Sequence, residues 1–286
     1  MKLVSFYRDD ELRLGIGKEE GVIDVKAASE NSGISAPETV IDVIKGGADA
    51  LEVLEKIQKS SQEVTREEEV EFAAAIPNAG KVICVGANYR KHAIESGLAI
   101  PENPIYFAKY ANSLSGHREQ VAIPSLVKEV DYEVELVAVI GKPAKNVKVD
   151  DALDYVFGYA TGNDLSARDL QFRSNQWMYG KAIDQFAPFG PYIVTADEVP
   201  NPENLNLKTW VNGELRQDSN TEDMIFSVAE LVSDLSQIMT LEPGDVIYTG
   251  TPEGVILGMK EKVWLKPGDE VVCEIEGLGR LVNKLK

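Results

Sequence analysis

Two acidic stretches and one histidine stand at spacings that could do chemistry in this chain. The first stretch is DYEVELVAVI, residues 131–140. Alternate residues of a strand share a face, so Asp131, Glu133 and Glu135 point one way and Tyr132, Val134 and Leu136 the other. Glu133 and Glu135 then lie about 7 Å apart along the strand, and their side chains can converge on one point. Two carboxylates in a partly desolvated place repel, and one must take up a proton unless a cation sits between them. An exposed face with solvated charges is the competing reading of this stretch alone.

The second stretch, VFGYATGNDLSARDLQ, starts as an apolar strand and ends at Asn163-Asp164. Asp164 could cap the following turn, or it could deliver a third oxygen ligand. Three carboxylates without a histidine or cysteine pattern make a hard, all-oxygen site suited to Mg²⁺, Mn²⁺ or Ca²⁺. Zinc would prefer nitrogen or sulfur, and the chain has only His92 and His117 and two cysteines. His92 and Glu95 in NYRKHAIESG are i and i+3, one helical turn apart on one face. A carboxylate beside an imidazole fixes its tautomer and strengthens it as a base, and an incidental surface histidine is the alternative.

These pieces occur in a fixed order. N-Y-x-x-H-x-x-E (Asn88 to Glu95) precedes D-Y-E-V-E-L (Asp131 to Leu136) and N-D-x-S-A-R-D-x-Q (Asn163 to Gln171). G-K-x-x-D-x-F-x-P-x-G-P (Gly180 to Pro191) and G-D-V-I-x-T-G-T-P-x-G-V (Gly244 to Val255) follow. Together they closely resemble the fumarylacetoacetate hydrolase family over about residues 80–286. The resemblance implies that Glu133, Glu135 and Asp164 bind the metal and that His92 and Glu95 activate water. It implies that Lys181 is an active-site lysine and that Arg168, Gln171, Thr251 and Lys109 contact substrate. It also implies a β-rich roll or barrel, usually dimeric, so a homodimer is expected. The length of the N-terminal segment fits the shorter, mostly prokaryotic branch, which separates the chain from the longer animal fumarylacetoacetase.

The reaction so implied is metal-dependent hydrolysis of a carbon–carbon bond in a β-diketone or acylpyruvate-type substrate, fumarylacetoacetate or a related small anionic keto acid. His92, oriented by Glu95, would deprotonate water. Lys181 or Lys109 would face the oxyanion, and Arg168 would grip a substrate carboxylate with two prongs. The same site could instead decarboxylate or tautomerise oxaloacetate, or isomerise 2-hydroxyhepta-2,4-diene-1,7-dioate. A ligand-binding protein that has lost catalysis is a further alternative, although no ligand or base is missing. Asp131 reads as a structural neighbour, and substrate preference as a property of the segments SGLAIPENP and FRSNQWMYG. TGTPEGV lacks the spacing of a phosphate-binding loop, and no G-x-G-x-x-G joins a strand to a helix.

These residues need a frame of strands. Residues 1–75 read as a small N-terminal α+β domain, with short strands KLVSFY, LRLGIG and GVIDV, then helices ETVIDVIKG and ALEVLEKIQKS broken at Gly46 and Gly47. Residues 76–286 read as a β-rich α+β catalytic domain, with strands in VICVGAN, IYFAKY, VELVAVIG and VFGYATGND. Asn212-Gly213 signals a hairpin, and further strands close the chain. Helices are expected after Asn88 and in FSVAELVSDLSQIM. The 286 residues carry a net charge of −18, which disfavours nucleic acid and anionic membranes as partners. The field is also wrong for an anionic substrate unless the site holds its own positive charge, which a divalent ion would supply. Cys84 and Cys273 form no CxxC pair and read as buried thiols. No apolar run approaches a membrane span, and the expected location is cytoplasmic.

Overall fold

The unbroken apolar run LVAVI requires a core on both faces of its strand, and the fold supplies two. The structure is a computed structural model that describes residues 1–61, 63–97 and 99–286. Its N-terminal segment contains β1 (Lys2–Arg8), β2 (Glu11–Lys18), β3 (Gly21–Asp24), α1 (Val25–Ser32) and α2 (Val40–Ser60). Next come β4 (Val82–Gly86), α3 (Arg90–Glu95), β5 (Ile105–Lys109), β6 (Val134–Ile140) and β7 (Val156–Asn163). The short helices α4 (Arg168–Gln171) and α5 (Met178–Lys181) lead into β8 (Ala187–Thr195). The remaining elements are β9 (Asn206–Val211), β10 (Glu214–Asn220), α6 (Val228–Ile238), β11 (Val246–Tyr248), β12 (Glu270–Ile275) and β13 (Gly279–Leu285).

One sheet of eleven strands runs β3-β2-β1-β8-β7-β6-β11-β4-β5, with Glu71–Phe72 paired to β1 and Leu114–Ser115 to β8. A second sheet runs β10-β9-β12-β13 and ends on Gln120–Val121. The large sheet is open, from β3 at one edge to β5 at the other. The fold is therefore α+β, β-rich and built on a mixed sheet, as expected, with no closed barrel among the described residues.

Alternation along β6 explains its composition. Val134, Leu136, Ala138 and Ile140 join the core shared with Leu207, Val271 and Leu281 of the second sheet and Leu231 and Leu235 of α6. Val137 and Val139 join the opposite core, with Val43, Ile44, Leu54 and Ile57 of α2. The N-terminal helices thus cover one face of the central sheet, and β1 continues that sheet by pairing with β8.

Several expectations are met locally. Helix α2 is broken at Gly47, whose φ of +57° and ψ of −135° are non-helical. Asn212 and Gly213 both have positive φ, as the tight hairpin between β9 and β10 requires. Both cysteines are buried and free. Among the described residues, no helix is long and apolar enough to cross a membrane.

Other expectations need correction. DYEVELVAVI is not one strand: Val130–Asp131 pairs with Ser166–Ala167, the chain breaks at Tyr132–Glu133, and β6 begins at Val134. The long strand β8 lies between β1 and β7, where Pro188, Gly190 and Pro191 concealed it.

Candidate active site

The central sheet brings the acidic residues to one end. β6 runs antiparallel to β7, with Val134 opposite Asn163, and antiparallel to β11, with Val137 opposite Tyr248. β11 is parallel to β4. The start of β6 therefore meets the ends of β7, β11 and β4. Glu133, Asp164, Thr251 and His92 follow or precede those ends by a few residues, and Glu135 is the second residue of β6.

Two backbone devices hold the junction. Asn88 donates from Nδ2 to the Thr249 carbonyl at 2.7 Å and the Phe226 carbonyl at 3.0 Å, which ties the turn after β4 to the turn after β11. Gly250, at φ +97°, brings its N–H to within 2.8 Å of Glu135 Oε2. A Cβ at Gly250 would meet the Asn88 Cβ at 2.8 Å, so a side chain does not fit there.

Glu133, Glu135 and Asp164 are all buried, and one carboxylate oxygen from each lies within 4.8 Å of the others. Lys181 Nζ donates to Glu133 Oε2 at 2.6 Å and to Asp164 Oδ2 at 2.7 Å. Arg168 donates from Nη2 to Glu133 Oε1 at 2.5 Å, from Nε to Asp131 Oδ2 at 3.0 Å and from Nη1 to Gln171 Oε1 at 2.8 Å. Lys109 Nζ stands 2.5 Å from Asp164 Oδ1. It lies out of line for a hydrogen bond there, so that buried oxygen accepts none. Four carboxylates (Asp131, Glu133, Glu135, Asp164) thus face three cations (Lys109, Arg168, Lys181).

This imbalance falls on Glu135. Burial, with Asp164 and Glu133 nearby, raises its pKa well above the usual carboxylate range. Burial also disfavours ionised Glu133, but Lys181 and Arg168 outweigh it and hold that carboxyl low. Burial opposes a charge on Lys181, yet Asp164 and Glu133 raise its pKa and keep it protonated.

A hard divalent cation fits this arrangement. It would meet three oxygen donors and compensate Glu135. Zinc has no reason to be preferred, since neither a histidine nor a cysteine joins the cluster.

A cavity of about 420 Å³ opens above the carboxylates. Glu133, Glu135, Arg168, Gln171, Lys181, Thr251, His92 and Glu95 all line it. Phe107, Phe172, Trp177 and Leu257 supply apolar walls, and Ser96 and Lys262 stand among its polar lining. FRSNQWMYG thus contributes Phe172 and Trp177, and SGLAIPENP contributes Ser96, while Leu98 lies outside the described residues.

Three expected roles meet a different geometry. Lys109 does not reach the cavity wall: it is 1% exposed and donates to the Leu165 and Phe186 carbonyls behind Asp164. Its ammonium stands beside the Asp164 carboxylate. Arg168 does not hold an open fork toward the cavity, because Asp131 and Glu133 already engage it. His92 and Glu95 share α3, but His92 Nδ1 is 3.8 Å from Glu95 Oε2, beyond a hydrogen bond, and Glu95 accepts instead from the Gly254 N–H at 3.1 Å.

Asp131 stands where a structural neighbour should. It accepts from Arg168 and from the N–H groups of Tyr132, Ile256 and Leu257. Gln217, which donates to Thr251 Oγ1 at 2.9 Å, was not singled out, because no local pattern links β10 to the turn after β11.

An open mixed sheet that brings three carboxylates under a cationic cavity defines a protein with a metal-compatible, all-oxygen site. The chain belongs to the fumarylacetoacetate hydrolase family: the model of the fumarylacetoacetate (FAA) hydrolase C-terminal region matches residues 81–286. It is 42% identical over its whole length to a mitochondrial oxaloacetate tautomerase of Homo sapiens, covering 91% of that protein. A mitochondrial oxaloacetate tautomerase of Rattus norvegicus is 40% identical with the same coverage.

Among solved structures, fumarylacetoacetate hydrolase from Exiguobacterium antarcticum has a TM-score of 0.83 and 35% identity, covering 100% of this chain and 99% of that one. Maleylpyruvate hydrolase from Sphingobium sp. SYK-6, in complex with manganese(II) and pyruvate, has a TM-score of 0.82 and 31% identity, covering 100% and 98%. Fumarylpyruvate hydrolase from Pseudomonas aeruginosa, in complex with Mn²⁺ and pyruvate, has a TM-score of 0.67 and 38% identity, covering 72% and 89%. The mitochondrial names of the curated relatives overturn the expectation of a cytoplasmic protein.

Proposed function

We propose that this chain is a divalent-metal-dependent enzyme that interconverts the keto and enol forms of a small anionic 2-keto acid of the oxaloacetate kind. The observation that carries this reading is the buried triad Glu133, Glu135 and Asp164, two of which, Glu133 and Glu135, line a cavity that also presents Arg168 and Lys181. Full-length similarity to oxaloacetate tautomerases supports tautomerisation as the reaction.

The three carboxylates would hold Mg²⁺ or Mn²⁺, with Ca²⁺ as the less demanding substitute, and the ion supplies the positive charge that favours an enolate. Arg168 and Lys181 add fixed positive charge beside the substrate's anionic oxygens. Gln171 and Thr251 hydrogen-bond and orient it. His92 lines the cavity and is the side chain that would carry a proton. One proton leaves the carbon beside the carbonyl and one reaches the carbonyl oxygen, with no water consumed. Phe107, Phe172, Trp177 and Leu257 limit the water that could divert the reaction.

Hydrolysis of an acylpyruvate is the second reading, favoured by His92 and Glu95 lining the same cavity. Glu95 would have to leave the Gly254 N–H to orient His92 for that chemistry. A homodimer remains part of the proposal, on family grounds.

The test follows the absorbance of enol-oxaloacetate with metal-stripped protein, with and without added Mg²⁺ or Mn²⁺. Acetylpyruvate and fumarylpyruvate run alongside. Metal-dependent ketonisation that is lost in Glu133→Ala and His92→Ala is the expected result. Cleavage of the acylpyruvates without any effect on oxaloacetate would make the chain a hydrolase. Inertness toward all three with metal bound would refute both readings.

A further inference from the structure

We propose that Gln217 is a positioning residue that occupies one lone pair of the Thr251 hydroxyl and leaves its proton for a ligand oxygen in the cavity. The inference rests on the keto-acid reading above, and it identifies what that site demands of its ligand.

Gln217 comes from β10 of the second sheet and is 1% exposed. Its amide is wired at both ends. Oε1 accepts from the Val134 N–H at 3.1 Å and from Thr209 Oγ1 at 2.8 Å. Nε2 donates to the Pro252 carbonyl at 3.0 Å and to Thr251 Oγ1 at 2.9 Å, with the Glu253 carbonyl farther off at 3.4 Å. A backbone N–H can only donate and a backbone carbonyl can only accept, so Val134 and Pro252 together forbid the flipped amide.

Thr251 Oγ1 is therefore an acceptor from Gln217, and its single proton must point elsewhere. That hydroxyl donates to no protein group among the described residues, while Thr251 lines the cavity at 3% exposure. The proton is left for a ligand. The matching ligand group for that proton is an oxygen acceptor, either a keto, enolate or carboxylate oxygen. Gln217 also holds the Val134 N–H, between Glu133 and Glu135, so one side chain sets both the hydroxyl and the start of the carboxylate strand.

The test measures the Kd of pyruvate on the Mn²⁺-loaded protein by calorimetry, in a double-mutant cycle of Gln217→Glu and Thr251→Val. Pyruvate is the probe because it is the keto acid seen with Mn²⁺ in two relatives. A carboxylate at position 217 keeps the acceptor for Val134 but takes the Thr251 proton for itself. Pyruvate affinity is expected to fall about tenfold in Gln217→Glu and in Thr251→Val, with little further loss in the double variant. Mn²⁺ affinity, measured separately, should change little.

Additive losses would make Gln217 merely structural, and an unchanged Kd in Gln217→Glu would likewise overturn the proposal. Should that variant fail to fold, a crystal structure of the wild type with Mn²⁺ and pyruvate decides. Thr251 Oγ1 must then lie within hydrogen-bond distance of a pyruvate oxygen while keeping Gln217 Nε2, and any other arrangement overturns the assignment. A loaded wild type that binds no pyruvate would overturn the keto-acid reading, and the Gln217 assignment falls with it.

Discussion

Asp131 and Arg168 form a buried ion pair, with Asp131 Oδ2 accepting from Arg168 Nε at 3.0 Å. Asp131 is itself held by the N–H groups of Ile256 and Leu257, and Leu257 lines the cavity. The pair thus fixes the guanidinium and the wall beside it as one unit. Breaking a buried pair at one partner leaves the other charge uncompensated.

Asp131→Ala should cost about 3–5 kcal/mol in urea unfolding, because Arg168 and three backbone N–H groups lose their acceptor. Asp131→Asn keeps the size and an acceptor oxygen, so it should cost less. Its signature is a KM for the keto acid raised about tenfold by a loosened Arg168, corresponding to about 1.4 kcal/mol.

Glu135→Gln should raise the melting temperature of metal-free protein. Glu135 is raised by burial and by the neighbouring Asp164 and Glu133, so its ionised form opposes folding above the ordinary carboxylate pKa. The carboxamide removes that charge and can still accept from Gly250. The same change should abolish the stabilisation by Mn²⁺, which for the wild type reaches about 2.7 kcal/mol at a hundred times Kd. Thermal melts of both proteins with and without Mn²⁺ measure both effects.

His117 offers a pH effect away from the buried triad, with its Nε2 3.5 Å from the half-exposed Glu67 carboxylate. Its Nδ1 accepts from the Val282 N–H at 3.1 Å, and burial, with Arg118 adding to it, pushes its pKa down to about 4. The unfolded chain, with an ordinary histidine pKa of about 6.5, binds a proton that the folded chain refuses. Stability from this group is full above pH 6.5 and is lost as pH falls toward 4, by about 3 kcal/mol in total. His117→Gln should remove that component, seen as a shallower pH dependence of urea midpoints over this window.

Gly250→Ala should be destabilising by about 1–3 kcal/mol, from the positive φ and the clash with Asn88. It should also weaken Mn²⁺ binding, since the Gly250 N–H that orients Glu135 would shift. Calorimetric titration with Mn²⁺ separates this effect from stability. A variant that is less stable but binds Mn²⁺ normally would show that the N–H does not orient the ligand.

What was legible in the sequence was local. The hairpin signal at Asn212-Gly213 and the Gly47 break depend on neighbours in the chain and stand as read, while the alternation begun at Asp131 holds only from Val134 onward. β8 was hidden because Pro188, Gly190 and Pro191 argue against a central strand, and only pairing with β1 and β7 on either side overrides them. The positions of Glu133, Glu135 and Asp164 followed from strand ends and motifs. The burial of Lys109 and the engagement of Arg168 by Asp131 did not, because cations folded against carboxylates from distant elements leave no periodic trace. Gln217 was invisible for the same reason: its partners at Val134 and Thr251 come from the other sheet and from a turn beyond it.

The most direct test of the triad as a metal centre is Mn²⁺ binding, followed by electron paramagnetic resonance on metal-stripped wild type and Asp164→Asn. Asp164 is one of the three clustered carboxylates, and this substitution preserves the side-chain shape. One tightly bound ion per wild-type chain, with affinity falling about a hundredfold or more in the variant, is the expected result. Equal affinity in both proteins would contradict the metal centre and, with it, the enolate chemistry assigned to the cavity.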